Sequence, residues 1–268
     1  MELKYRNTTI RKELYRISSP IYNSEEYLVY YDFVKKILIG FAEQSMNLNS
    51  TKYDIIDFPF LYTERRLDSV ILPILSSLCK GLVLTEYPVN RKKVNRRNED
   101  EDNNISRGRI DYWCIYKDYS FVIELKHSYD CITTKNTRKE KLIDRWIYMN
   151  SEQLNTIKSD IKEFTEKTKG VIRLPLHFIT TYARMQNDNN TFFNNNQEIN
   201  ETFDRILKDV IIDTKNGKRI KKPQLSPDFI ALWKINPTLS ENFNEIYPGV
   251  ILLSKFYEPI IHEGSKDY

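Results

Sequence analysis

The clearest strand pattern in the chain lies between residues 108 and 128, where aromatic and β-branched residues recur with a period of two. Two such runs flank the polar pair Lys117 and Asp118, which predicts a tight turn and therefore a β-hairpin. In that register Tyr116 faces Tyr119, and counting back one pair at a time places Asp111 opposite Glu124.

The same periodicity brings two acids and a lysine to one face of this hairpin. Lys126 shares the face of Glu124 and Asp111, whereas Ile123 and Leu125 point to the other face. Like charges that lie opposite each other repel, so the pair of acids must hold a proton or bind a cation. Mg²⁺ takes oxygen ligands and needs only one or two protein carboxylates. A polar hairpin face in solvent is the alternative interpretation.

Apolar residues at helical spacing predict helices, which span residues 24–46, 63–80, 138–169 and 199–210. Ser24 is a suitable N-cap for the first, and Gly81 and Gly170 are suitable C-terminal residues for the second and third. Pro73 lies inside the second helix and should kink it or displace its start.

Shorter apolar runs predict further strands, at 82–89, 171–182, 228–235 and 249–257. Pro175 lies within the second of these strands and fits best at a sheet edge or a bulge. The last two strands either extend the sheet or flank it. Residues 90–106 carry a basic block followed by an acidic one without apolar periodicity, which predicts a loop.

Composition limits the classes of protein that fit. With 268 residues and 40% apolar content, the chain is long enough for one large domain or a domain with an appendage. The net charge of +4 is too small to indicate nucleic acid by itself. Three cysteines without metal-ligand spacing predict a reduced, intracellular compartment. A charged N-terminus and no apolar run of about 18 residues predict a cytoplasmic protein without membrane contact.

Asp111, followed across the hairpin by Glu124-Leu125-Lys126, resembles the PD-(D/E)XK nuclease superfamily, whose signature is an acid on one strand and (Asp/Glu)-x-Lys on the next. The lead-in from Gly108 to Asp111 is a common form of that signature. The family core runs helix, three strands, helix, strand, and the predicted elements follow this order over about 63–184.

The resemblance implies an α/β fold with a restriction-endonuclease-like core, in which a mixed central sheet is flanked by helices. The predicted nuclease domain is 58–268, preceded by an N-terminal helical extension over 1–57 and elaborated after residue 184 by additional strands.

The activity that the resemblance implies is Mg²⁺-dependent hydrolysis of phosphodiester bonds, with Mn²⁺ as a substitute and DNA favoured over RNA. Asp111 and Glu124 would bind the ion, and Lys126 would orient or deprotonate the attacking water. Glu64 matches the position of an additional acid that the first core helix often supplies, and we rank it above Glu86. Complementing the helix dipole, or pairing with a neighbouring arginine, is the alternative role of Glu64.

Further residues are candidates for contact with nucleic acid. RecB-like members of the superfamily often carry a Gln on the second core helix, and Gln153 resembles it, although a Gln satisfied within the core is equally compatible. Two basic clusters suit phosphate contact or are solvated surface: Arg91, Lys92, Lys93, Arg96 and Arg97; and Lys218, Arg219, Lys221 and Lys222.

A stand-alone nuclease of this kind suits bacterial defence or a mobile element, as a homodimer or with a partner protein. The alternative is a catalytically silent nucleic-acid-binding or interaction module on the same fold.

Overall fold

The fold is described here from a computed structural model. It covers residues 3–5, 8–10, 15–48, 58–61, 64–92, 105–132, 139–157, 167–184, 196–210, 212–215, 218–221, 223–240 and 245–261.

Eleven strands and four α-helices lie within these ranges. The strands are β1 (Leu3–Tyr5), β2 (Thr8–Ile10), β3 (Tyr15–Ile17), β4 (Val83–Lys92), β5 (Ile105–Tyr116), β6 (Tyr119–Cys131), β7 (Gly170–Arg184), β8 (Ile212–Lys215), β9 (Lys218–Lys221), β10 (Phe229–Ser240) and β11 (Glu245–Ser254). The helices are α1 (Glu25–Asn47), α2 (Glu64–Leu78), α3 (Lys139–Tyr148) and α4 (Asn196–Asp209), and a π-helical turn, Met149–Leu154, continues α3.

A mixed sheet of seven strands forms the centre of the fold, in the order β3, β10, β11, β7, β6, β5, β4. The strands β4, β5 and β6 form an antiparallel meander, and β7 returns parallel to β6 after α3. The predicted α/β class with a mixed sheet flanked by helices is therefore confirmed. The last two predicted strands extend the sheet, as β10 and β11.

Two apolar cores cover the two faces of this sheet. On one face, α1 and α2 contribute Phe33, Ile37, Leu67 and Ile71 to a core with sheet residues such as Phe121. On the other face, α3, its π-helical turn and α4 contribute a second set of buried residues: Trp146, Leu154, Phe203 and Ile206, which pack with Val122 and Ile251. The elements between β4 and β7 are thus held from both sides.

The predicted start of α1 is confirmed. Ser24 is its N-cap, and the Ser24 Oγ accepts a hydrogen bond of 3.3 Å from the backbone N–H of Tyr27. The helix α2 continues through Pro73, and Thr63, its predicted cap, lies outside the described residues.

The third predicted helix, 138–169, extends too far, because residues 155–157 and 167–169 are not helical; residues 158–166 lie outside the described ranges. The helical segment ends at Leu154, and Gly170 begins β7 rather than closing a helix. The Thr156 hydroxyl donates to the carbonyls of Glu152 and Gln153, and Ile157 forms a β-bridge with Arg91. Pairing with β4 therefore extends the chain just where the helical pattern predicted another turn.

Two further predictions need correction. The predicted loop at 90–106 begins too early and ends too late, because residues 90–92 belong to β4 and 105–106 to β5. Pro175 lies in an interior strand rather than at the sheet edge. The β7–β11 ladder begins at His177, however, so Pro175 lies outside it and is aligned only with Glu124 of β6.

A membrane-spanning helix, long and apolar enough to cross a bilayer, does not occur in the described part of the chain. The domain boundary at 57/58 stays a prediction.

Candidate active site

The hairpin of β5 and β6 has the predicted turn and register. Lys117 and Asp118 form its two-residue turn with φ angles of 46° and 65°, the left-handed conformation that a tight hairpin turn requires. Residue pairs then run from Tyr116–Tyr119 to Tyr112–Ile123. Asp111 and Glu124 occupy the next position, immediately beyond the end of this ladder.

Asp111 lies where the regular pairing of β5 is interrupted on both sides. Toward β4, the pairs Thr85–Tyr112 and Tyr87–Ile110 skip Asp111 and Glu86, and Glu86 has a φ of 52°. Toward β6, the Asp111 Oδ2 accepts a 2.6 Å hydrogen bond from the Leu125 N–H. The carboxylate therefore takes the place of a backbone acceptor at the point where β5 and β6 separate.

Lys126 links this carboxylate to Glu64. The Lys126 Nζ lies 3.2 Å from the Glu64 Oε1 and 4.0 Å from the Asp111 Oδ2. The other Glu64 oxygen accepts a 3.3 Å hydrogen bond from the backbone N–H of His127. The first residue of α2 is thus fixed against β6, and two of the predicted catalytic acids, Asp111 and Glu64, lie within ion-pair distance of Lys126.

Glu124, the fourth predicted residue, is held by other partners, Arg91 of β4 and Gln153. Its Oε1 lies 2.5 Å from the Arg91 Nη2, and its Oε2 accepts a 2.8 Å hydrogen bond from the Gln153 amide. The Glu124 side chain is 1% exposed and the Arg91 side chain 12%. Gln153 lies in the π-helical turn after α3, so this turn aims its amide at the carboxylate.

Both acids hold protons more tightly than ordinary carboxyl groups. Burial raises the pKa of Asp111, and it outweighs the Leu125 hydrogen bond and the Lys126 charge. Burial and the neighbouring Asp111 charge raise the pKa of Glu124 to about 7, although Arg91 acts in the opposite direction. The ion pair with Arg91 therefore compensates only part of the cost of ionising Glu124, and additional positive charge at this position would be favourable.

No family model matches the chain, and no curated protein or solved structure matches it. The interpretation of these residues therefore depends on their own geometry and chemistry.

The donor atoms present fit a divalent cation held by few protein ligands. In the described ranges, no group of three or more His, Cys, Asp and Glu side chains is placed to hold a metal ion. Mg²⁺ needs only one or two carboxylates, because water and substrate phosphate complete its shell. The buried Gln153 Oε1, on the amide that contacts Glu124, has no hydrogen-bond partner within the described structure. Such an acceptor suits a cation or its water.

The other candidate side chains make contacts of their own or lie outside the described ranges. Glu86 is 66% exposed and pairs with Arg109 at 3.6 Å, so it is placed less directly than Glu64. The His127 ring is buried against Thr180, with 2.9 Å between Nε2 and Oγ1. Nothing is described for the side chains of the remaining basic candidates: Lys92, Lys93, Arg96, Arg97, Lys218, Arg219, Lys221 and Lys222.

The role of Arg91 was not foreseen from the sequence. The sequence places it in a basic cluster that suits phosphate contact or solvated surface, but its side chain crosses Gly108 to reach Glu124. A Cβ on Gly108 would lie 2.7 Å from the Arg91 Cδ and closer still to its Nε. The only signal in the sequence was the glycine three residues before Asp111.

Proposed function

We propose that this chain is a Mg²⁺-dependent endonuclease of the PD-(D/E)XK type that hydrolyses phosphodiester bonds in DNA. The observation that carries the proposal is that Lys126 lies within ion-pair distance of Asp111 and Glu64 where the two hairpin strands separate, while the buried Glu124 is close enough for the charges of Asp111 and Lys126 to act on it. Burial disfavours ionisation of Asp111 and Glu124, which is the arrangement expected of a site built to receive a cation.

The order of elements supports the same proposal. The chain runs α2, β4, β5, β6, α3, β7, with three antiparallel strands followed by a strand parallel to β6. This is the order of helix, three strands, helix and strand that the resemblance implies. A restriction-endonuclease-like core is therefore part of the proposal.

Each side chain has a distinct role in this mechanism. Asp111 and Glu124 would hold the ion, while the Gln153 amide keeps the Glu124 carboxylate oriented. The chemistry that Mg²⁺ supplies when bound is polarisation of the phosphate and activation of a water molecule.

Lys126 would orient the attacking water and stabilise the charge that develops on the phosphate oxygens. The Lys126 ammonium donates to the Leu125 carbonyl at 2.8 Å and to Glu64 at 3.2 Å, so its position is fixed before substrate binds. Glu64 is thereby a positioning residue for Lys126 as well as a candidate for contact with the water shell of the ion.

One observation favours a catalytically silent module on the same fold. Both oxygens of Glu124 already accept hydrogen bonds from protein donors, Arg91 and Gln153. In a silent module these bonds would be permanent, and the carboxylate would serve only to join β4, β6 and the π-helical turn.

A plasmid-nicking assay tests the proposal against this alternative. Purified protein is incubated with supercoiled DNA in Mg²⁺, in Mn²⁺ and in chelator, beside the variants Asp111→Asn and Glu124→Gln. We expect nicking by the parent with either metal and a loss of about 10³-fold in each variant, because each removes a ligand charge. Asp32→Asn is the matched control, since Asp32 of α1 accepts a hydrogen bond from Tyr116 at the far end of the same hairpin. A parent that leaves the plasmid intact with both metals would exclude the nuclease.

A further inference from the structure

Arg91 makes contacts that a surface arginine does not make. Its guanidinium donates to the carbonyls of Gln153 and Arg109 and to the Glu124 carboxylate. Its backbone also bridges to Ile157. The positive charge nearest to Glu124 is therefore held in place by two backbone carbonyls and a β-bridge as well as by the carboxylate oxygen Oε1.

A guanidinium and a divalent cation cannot both occupy one buried carboxylate without strong mutual repulsion, because screening is weak where Glu124 is 1% exposed. The positive charge of Arg91 thus neutralises Glu124 in part, as the charge of a bound ion would. The ion and the guanidinium therefore compete for the Glu124 carboxylate.

We infer that Arg91 and the divalent cation are alternative partners of Glu124, and that metal binding transfers the Arg91 guanidinium from this carboxylate to a substrate phosphate. This inference rests on the proposed function. The planar guanidinium, with its parallel N–H donors, binds a phosphate as well as a carboxylate. Arg91 is then a positioning residue that makes the phosphate contact available only when the ion is in place.

Gly108 allows this exchange to be tested without removing the arginine. The Arg91 side chain passes directly over the Gly108 α-carbon, and a methyl group there would displace it. Gly108→Ala should therefore loosen the guanidinium from Glu124 while the chain keeps the same charge.

The experiment is a calorimetric Mg²⁺ titration at pH 8.5 of the parent, Arg91→Met, Gly108→Ala and Arg109→Met. We expect Mg²⁺ to bind about tenfold more tightly to the first two variants, because the competing cation is gone or displaced. Arg109→Met removes the same charge from the neighbouring, 71% exposed side chain and should stay within about twofold of the parent.

A second readout follows the guanidinium itself. Binding of a fluorescein-labelled 20-base-pair DNA duplex is measured by anisotropy in Ca²⁺. Arg91→Met should weaken duplex binding by about tenfold and lower the salt slope by about one, whereas Gly108→Ala should keep the parental slope.

The outcomes separate the two proposals. A parent that neither binds Mg²⁺ nor nicks plasmid refutes the proposed function and this inference with it. A parent that binds Mg²⁺ and nicks, while Arg91→Met and Gly108→Ala bind Mg²⁺ no more tightly than it does, refutes only the exchange. If Arg91→Met lacks a cooperative unfolding transition, Gly108→Ala carries the comparison alone.

Discussion

The two ends of the β5–β6 hairpin both hold acids beside cations, but with opposite electrostatic results. At the turn, Asp32 of α1 accepts hydrogen bonds from Lys117 at 2.8 Å, Tyr116 at 2.7 Å and Lys36 at 3.1 Å. Burial opposes ionisation of Asp32, but these hydrogen bonds outweigh it and lower its pKa to about 2. At the open end, burial raises the pKa of Glu124 to about 7 despite the Arg91 guanidinium.

This difference in pKa distinguishes the stabilising ion-pair cluster at the turn from the candidate site at the open end. Asp32 is 33% exposed, and its three hydrogen-bond donors outweigh the solvation that its carboxylate loses. Glu124 is buried between two layers and next to another carboxylate, so its charge is unfavourable without a further cation. Buried charged groups that cost stability in this way are a stronger indication of function than a count of ion pairs.

The largest effect that this comparison predicts is on the rate of cleavage. Lys126→Ala should reduce plasmid nicking by about 10²-fold or more, because the ammonium orients the water and stabilises charge. Lys117→Ala, the matched lysine at the turn, should nick at the parental rate.

The Lys126 change should also leave Mg²⁺ binding at least as tight as in the parent, since it spares both carboxylates. Glu124→Ala should lose Mg²⁺ affinity and cleavage together. Calorimetry beside the nicking assay distinguishes these roles. Normal cleavage by Lys126→Ala, or parental metal binding and cleavage by Glu124→Ala, would contradict the division of labour.

The next effect concerns the pH dependence of stability. Folded Glu124 holds its proton up to about pH 7, whereas the unfolded chain releases it near 4.5, so the folded state binds more protons in between. The free energy of unfolding of the parent, relative to Glu124→Gln, should therefore fall by on the order of 2 kcal/mol as pH rises through this range. Urea unfolding at a series of pH values, without divalent ions, measures this. If the free energies of unfolding of the two proteins change in parallel with pH, burial does not raise the pKa of Glu124 in the folded state.

The smallest expected effect is that of a substitution beside the hairpin turn. Asp32→Asn should lower the free energy of unfolding at pH 7 by about 1 kcal/mol, because it weakens three hydrogen bonds at a partly exposed carboxylate. The depressed pKa of Asp32 stabilises the fold above about 3.8, and this contribution is lost as pH falls toward 2. The parent and Asp32→Asn should therefore converge in stability in acid. A constant difference between them from pH 7 to pH 2 would contradict the assignment.

Local sequence signals were sufficient for the hairpin and for the proximity of Asp111 and Lys126, whereas Glu64 was placed beside them only by the family resemblance. A two-residue turn fixes the register, and a period of two fixes the faces, so few alternatives remain. The cap of α1 was equally predictable, because Ser24 contacts a backbone N–H only three residues away.

The contacts that could not be predicted are those that join distant segments. Arg91 reaches Glu124 because β4 pairs with β5 and because Gly108 leaves room, and neither fact is visible in the residues around Arg91. The helix that was expected to continue to Lys169 ends at Leu154, where bridging of Ile157 to β4 replaces a helical turn. The short strand β3 joins the sheet edge against β10, and its three residues carry no pattern of their own.

The hydrogen bond from Leu125 to Asp111 makes one backbone amide a spectroscopic reporter of the site. The Leu125 nitrogen lies 2.6 Å from the Asp111 Oδ2, so protonation of this carboxylate, or its engagement by a cation, changes the polarisation of a single N–H bond. In a ¹H–¹⁵N correlation spectrum, the proton shift of Leu125 should follow the charge state of Asp111 through a pH titration. The same resonance can follow a Mg²⁺ titration in the absence of any nucleic acid. Occupancy of Asp111 can thus be observed separately from turnover.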